Sequence, residues 1–125
     1  MNRKPGKVTM KRILIVDDDA EITDSLSMLL REKYEVGIAS NGFSAIDKLK
    51  DTSYDLILLD LLMPGLDGAG FVQSMHDRGV TTPILLLSAS KSAAEKARVL
   101  QVTDYLLKPF HIDELEAKIE RLIGV

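Results

Sequence analysis

The chain predicts an α/β fold: five strand–helix units in succession around one parallel sheet, with helices on both faces. Three observations carry this. Five short apolar runs alternate with segments of helical periodicity, the pattern of parallel strands joined by helical crossovers. The clearest run, Leu56-Ile57-Leu58-Leu59, is apolar without a break, as a strand covered on both sides must be. Polar residues able to do chemistry stand directly after four of the runs: Asp17 and Asp18, Asp60, Ser88 and Lys108.

The first strand is expected over Arg12–Asp17. Asp19 follows as the cap of a helix with Ile22, Leu26, Leu29 and Leu30 inward and Glu21, Asp24, Arg31 and Glu32 outward. Glu35–Ala39 reads as a short second strand, punctuated by Asn41-Gly42 and followed by a helix burying Ala45, Ile46 and Leu49. The third strand ends in Asp60, and Met63-Pro64-Gly65 with Asp67-Gly68 makes a loop. A helix from about Ala69 to His76 turns Phe71, Val72 and Met75 inward. Thr82-Pro83 opens the fourth strand, Ile84–Leu87, ending at Ser88; its helix carries Ala93, Ala97 and Leu100. The fifth strand, Tyr105–Leu107, ends at Lys108-Pro109, and the last helix, Ile112–Ile123, buries Leu115, Ile119, Leu122 and Ile123. Asp113 and Glu114 suit its positive end.

A length of 125 residues, 46% of them hydrophobic, fits one domain with a real core. Apolar runs are too short to span a bilayer, and the polar, basic start does not read as a secretory signal. Without cysteine there is no disulfide or thiol chemistry. These features lead to the expectation of a cytoplasmic protein. The net charge of −3 divides unevenly: residues 1–12 carry five cations and no acid, the remainder 11 cations and 19 acids. Residues 1–10 are therefore expected as a flexible basic leader and 11–125 as the folded domain. An acidic body argues against direct nucleic-acid binding, which needs a basic face.

In a parallel sheet the strand-end residues share one rim, where open α/β sheets bind ligands. Adjacent carboxylates repel by about 4 kcal/mol at ~4 Å and an effective dielectric of about 20, which calls for a hard divalent cation. Three carboxylates and one lysine sum to −2, which Mg²⁺ cancels. With an acyl phosphate of charge about −2 on Asp60 the set reaches about −3 alone and about −1 with the ion.

ILIVDDD, LILLDLLMPGLDG, ILLLSAS and DYLLKPF, in this order on these elements, resemble the receiver domain of two-component response regulators, CheY-like in kind. The likeness runs from Lys11 to Val125. It implies a flavodoxin-like sheet in strand order 2-1-3-4-5, an order that comes from the family and not from periodicity. It implies Asp60 as phosphoacceptor and Asp17, Asp18, Asp60 and the backbone carbonyl of Leu62 as the Mg²⁺ set, Mn²⁺ being a substitute. Asp18 would be the closer ligand and Asp17 partly water-mediated. It further implies Lys108, Ser88 and the Ala89 backbone as phosphate contacts, Ser88 and Tyr105 as the switch pair, and a cis Lys108–Pro109 peptide. Lys108 would pair with Asp60 before phosphorylation. The implied partners are a histidine kinase or histidine phosphotransfer protein and a downstream protein on the face of the fourth helix, fifth strand and fifth helix. No external substrate would be turned over. The chain would be a monomer or a weak, phosphorylation-dependent dimer, and either a complete protein or the receiver part of a longer regulator.

The segment from Ser88 to Lys108 is a residue or two short for the family and lacks its Gly-Ala step, reading Leu100-Gln101-Val102-Thr103-Asp104. A short, frayed or displaced fourth helix is expected there. Lys96, Asp104, Glu114 and Lys118 match in part the charged set with which some receivers dimerise. His76 and His111 read as surface residues. Two rivals belong to other classes. A haloacid-dehalogenase-type phosphatase also uses an aspartyl phosphate but places its acids as DxD on one strand. A flavin binder needs a hydroxyl- and glycine-rich loop where this chain has three acids.

Overall fold

The structure is a computed structural model that describes residues 10–60 and 68–124. Five strands, β1 (Arg12–Val16), β2 (Glu35–Ala39), β3 (Leu56–Asp60), β4 (Ile84–Ser88) and β5 (Asp104–Leu107), form one sheet in the order β2-β1-β3-β4-β5. Every neighbouring pair is parallel. Helices α1 (Ala20–Leu30), α2 (Gly42–Asp51), α3 (Gly68–Asp77) and α4 (Ala93–Leu100) make the crossovers, and α5 (Ile112–Ile123) follows the last strand. The expected (βα)5 fold and strand order are those observed.

Strand alternation sorts the core into two layers. Ile13, Ile15, Leu56, Leu58, Leu85 and Leu87 face α1 and α5, meeting Leu26, Leu30, Leu115 and Ile119. Leu14, Val16, Ile57, Leu59 and Ile84 face the other way, toward Ala45, Ile46, Phe71, Val72 and Met75. Fully burying one such side chain contributes about 1.5–3 kcal/mol, so this double layer holds the strand ends in place.

Several expected details differ from the structure. Leu29 is 49% exposed, because Leu26 and Leu30 already fill the inward stripe of α1 with Thr23 and Ser27. The first strand ends at Val16, which leaves Asp17 just beyond it, and the fifth begins one residue early at Asp104. α3 extends over Gly68–Asp77. The fourth helix is short, at eight residues, and Gln101 closes it in the left-handed conformation at φ 61°. That is the backbone state a glycine would take at no steric cost. On edge strand β2 the Tyr54 hydroxyl occupies the space that a Cβ on Gly37 would need. The leader expected over residues 1–10 lies outside the described residues apart from Met10, and so do Leu62 and the loop over 61–67. Among the described residues, no helix is long and apolar enough to cross a membrane.

Candidate functional site

The three consecutive aspartates separate by geometry. Asp19 caps α1, its carboxylate accepting from the Glu21 N–H at 3.0 Å and the Ile22 N–H at 3.4 Å. Asp17 turns inward and is 3% exposed. Its backbone N–H donates to Ala39 O at 3.1 Å, and its Oδ1 accepts from the Asp19 N–H at 3.0 Å. Asp18 is exposed, yet one oxygen each from Asp17, Asp18 and Asp60 lie within 4.8 Å of one another. Asp60 ends β3 and is half-buried.

Parallel pairing brings the remaining strand ends to the same rim. Asp60 lies in register with Leu87, and Ser88 with Leu107. The Lys108 N–H donates to Ser88 O at 2.8 Å, carrying the ladder one residue further. The Lys108–Pro109 peptide is cis. The Lys108 ammonium lies 4.0 Å from Asp17 Oδ2, on the same rim as Asp60. Ser88 is buried, its Oγ accepting from the Ser90 N–H at 3.0 Å, and Ala89 beside it is exposed.

Burial pushes the Asp17 carboxyl above its ordinary range; the Asp19 N–H opposes the rise, the charge of Asp60 adds to it, and Lys108 opposes it. Asp17 Oδ2 is buried and has no hydrogen-bond partner among the described residues. A buried carboxylate oxygen with no hydrogen bond, facing only an ammonium 4.0 Å away, is costly unless something binds it. Clustered anionic oxygens are what a hard divalent cation selects, so the donor set fits Mg²⁺.

At the far edge Tyr105 is half-buried on β5, with the Lys118 ammonium 5.6 Å from its ring centroid. Lys118 is held in turn by Asp104, at 3.1 and 3.2 Å, and Arg121 joins the same carboxylate at 2.6 Å. Of the four residues matched to a dimer set, Asp104 and Lys118 thus bind each other within one chain. Glu114 accepts from the His111 N–H at 2.9 Å at the start of α5. Sequence reasoning misses Arg121, although its spacing of three from Lys118 puts both on one helix face. It also misses Ser90 and Ser92, whose signal is the alternation Ser88-Ala89-Ser90-Lys91-Ser92.

A doubly covered parallel sheet with three carboxylates and an ammonium at its carboxyl rim defines a phosphoryl- or metal-handling α/β module. Residues 13–120 match the family described as the response regulator receiver domain, and the chain belongs to that family. It is 39% identical over 115 residues to the transcriptional regulatory protein ResD of Bacillus subtilis, covering 90% of this chain and 48% of ResD. It thus spans about half the length of the curated relatives it matches. Among solved structures, chemotaxis protein CheY4 of Vibrio cholerae superposes with a TM-score of 0.84 at 31% identity, over 91% of this chain and 99% of that one. Response regulator TrrA of Thermotoga maritima, solved in complex with Mg²⁺-BeF, gives 0.80 at 35% identity, over 90% and 99%. Membership replaces the phosphatase and flavin-binder alternatives: the chain is a receiver domain of two-component signalling.

Proposed function

We propose that this domain is a switch set by phosphorylation of Asp60. The convergence of Asp17, Asp18 and Asp60 within 4.8 Å is the observation that carries the reading. A partner histidine kinase or phosphotransfer protein presents phosphohistidine. An Asp60 oxygen attacks phosphorus, the new O–P bond forms as the P–N bond breaks, and the imidazole departs with the electron pair. Asp17, Asp18 and Asp60, with the Leu62 carbonyl outside the described residues, hold Mg²⁺, with Mn²⁺ as a substitute. The ion supplies the charge neutralisation that lets a dianionic group enter an acidic pocket. TrrA's complex with Mg²⁺-BeF supports the assignment by likeness.

Lys108 orients the entering phosphoryl oxygens from the β5 side, and Ser88 and the Ala89 N–H contact them from β4. Tyr105 follows Ser88 inward and alters the surface of α4, β5 and α5, which carries the output to a separate protein or an attached domain. A bias of a few kcal/mol between two states is enough. Hydrolysis of the acyl phosphate resets the switch without turnover of an external substrate.

Mass spectrometry after treatment with acetyl phosphate and Mg²⁺ tests this. The phosphoryl group is expected on the peptide containing Asp60, and Asp60→Asn is expected to fold normally and take up none. Undiminished labelling of Asp60→Asn would assign the acceptor elsewhere.

A further inference from the structure

The loop between β4 and α4 contains a hydroxyl ladder that the phosphoryl chemistry does not require. Ser88 Oγ accepts from the Ser90 N–H at 3.0 Å, and two residues on, Ser90 Oγ accepts from the Ser92 N–H at 3.1 Å. The Ser90 and Ser92 hydroxyls also bond each other, at 2.8 Å. The Ala93 N–H donates to Ser90 O at 3.1 Å, closing a turn in which Ser92 sits at φ −96°, ψ 21°. These are the angles of the third residue of a type I turn.

Ser92 is also the N-cap residue of α4, where an extended backbone and a side-chain oxygen facing the second or third helical N–H would be usual. It has neither: its side chain makes no cap bond. The turn holds its backbone away from the cap conformation, and Ser90 engages its hydroxyl. Asp19 and Asn41 do cap α1 and α2, each from an extended backbone. The same serine therefore has two competing uses, as a rung of the ladder or as a helix cap.

We propose that Ser90 and Ser92 form a latch coupling the orientation of the Ser88 hydroxyl to the capping of α4. The inference rests on the switch reading above and specifies how its β4 arm reaches the output face. In the unphosphorylated domain Ser88 holds the Ser90 N–H, Ser90 holds Ser92, and α4 starts uncapped. When Ser88 turns toward a phosphoryl oxygen, the Ser90 N–H loses its acceptor and the turn opens. Ser92 then becomes extended and caps the Ala94 and Glu95 amides. Ser90 is a positioning residue that touches neither phosphate nor metal.

Amide hydrogen exchange of Ala94 and Glu95, read by NMR, tests the latch. Without ligand, Ser90→Ala releases Ser92 and slows exchange at both amides about five-fold, the equilibrium effect of one good N-cap. Ser90→Thr keeps the hydroxyl and the wild-type rates. Adding Mg²⁺ and beryllofluoride slows the same amides in the wild type, but not in Ser92→Ala. Unchanged or faster exchange in ligand-free Ser90→Ala overturns the latch, as does a wild-type response to beryllofluoride in Ser92→Ala. The ligand-free comparison is independent of Asp60 chemistry, so an absence of acyl phosphate in the mass-spectrometric experiment defeats the switch reading separately.

Discussion

Replacing Asp17 with asparagine should stabilise the metal-free domain while abolishing its stabilisation by Mg²⁺. The Asp17 carboxylate is 3% exposed, shares a 4.8 Å cluster with Asp18 and Asp60, and lies 4.0 Å from the Lys108 ammonium. At an effective dielectric of about 20, each like-charge pair at the outer limit of that cluster costs about 3.5 kcal/mol and the lysine returns about 4 kcal/mol. The two repulsions thus exceed the attraction by about 3 kcal/mol before solvent screening. Asp18 is exposed and Asp60 half-buried, which reduces the excess to about 1–2 kcal/mol. Asparagine removes that excess and keeps an oxygen for the Asp19 N–H. The expected rise in Tm, followed by circular dichroism in EDTA at neutral pH, is about 4–8 °C for a domain of this size. The pH dependence has a definite sign. Burial raises the folded pKa of Asp17 above its unfolded value, so the penalty on the fold sets in as pH rises past the unfolded pKa and is complete above the folded one. The advantage of Asp17→Asn therefore disappears in acid. Mg²⁺ at about ten times its Kd stabilises the wild type by about 1.4 kcal/mol, and the variant loses this gain. A lower Tm for the variant in EDTA, or an undiminished Mg²⁺ shift, would refute the reasoning.

Other perturbations act away from the pocket. Burial alone would raise the Asp104 pKa, but the Tyr105 N–H, Lys118 and Arg121 outweigh it and lower the value. Its contribution is therefore present above the unfolded pKa and lost as pH falls through the folded one. Asp104→Asn is expected to cost about 1–2 kcal/mol in urea unfolding at neutral pH, with the gap closing below about pH 4. Gln101→Gly relieves the left-handed backbone at the end of α4 and is expected to add about 1 kcal/mol in the same assay. Gly37→Ala drives a methyl into the Tyr54 hydroxyl, and a loss of about 1–3 kcal/mol is expected; an unchanged urea midpoint would mean that the tyrosine swings away freely.

The elements were legible because their signals are local. β3 and α5 fall where periodicity places them, since a strand buried on both faces must be apolar throughout and an amphipathic helix must repeat its apolar face. Asp19 is the cap the sequence suggests because capping involves only the next two or three residues. Leu29 misled because a helix stripe on paper is wider than the strip of sheet available to it. Local spacing put Arg121 on the face of Lys118 but could not name Asp104 as their shared partner, because that residue lies on a different element.

From its residues alone, the chain determined an alternating α/β domain and put four polar strand ends on one rim, because strand direction in a parallel sheet fixes which ends coincide. Only the tertiary structure decided that Asp17 would be buried with one oxygen lacking a hydrogen bond while Asp18 stays in solvent. It alone brought Lys108 beside Asp17 and set Ser92 against Ser90 rather than over the first turn of α4. The physical reason is range: apolar periodicity is settled within a few residues, whereas burial and side-chain partnership depend on which distant strand or turn lies alongside.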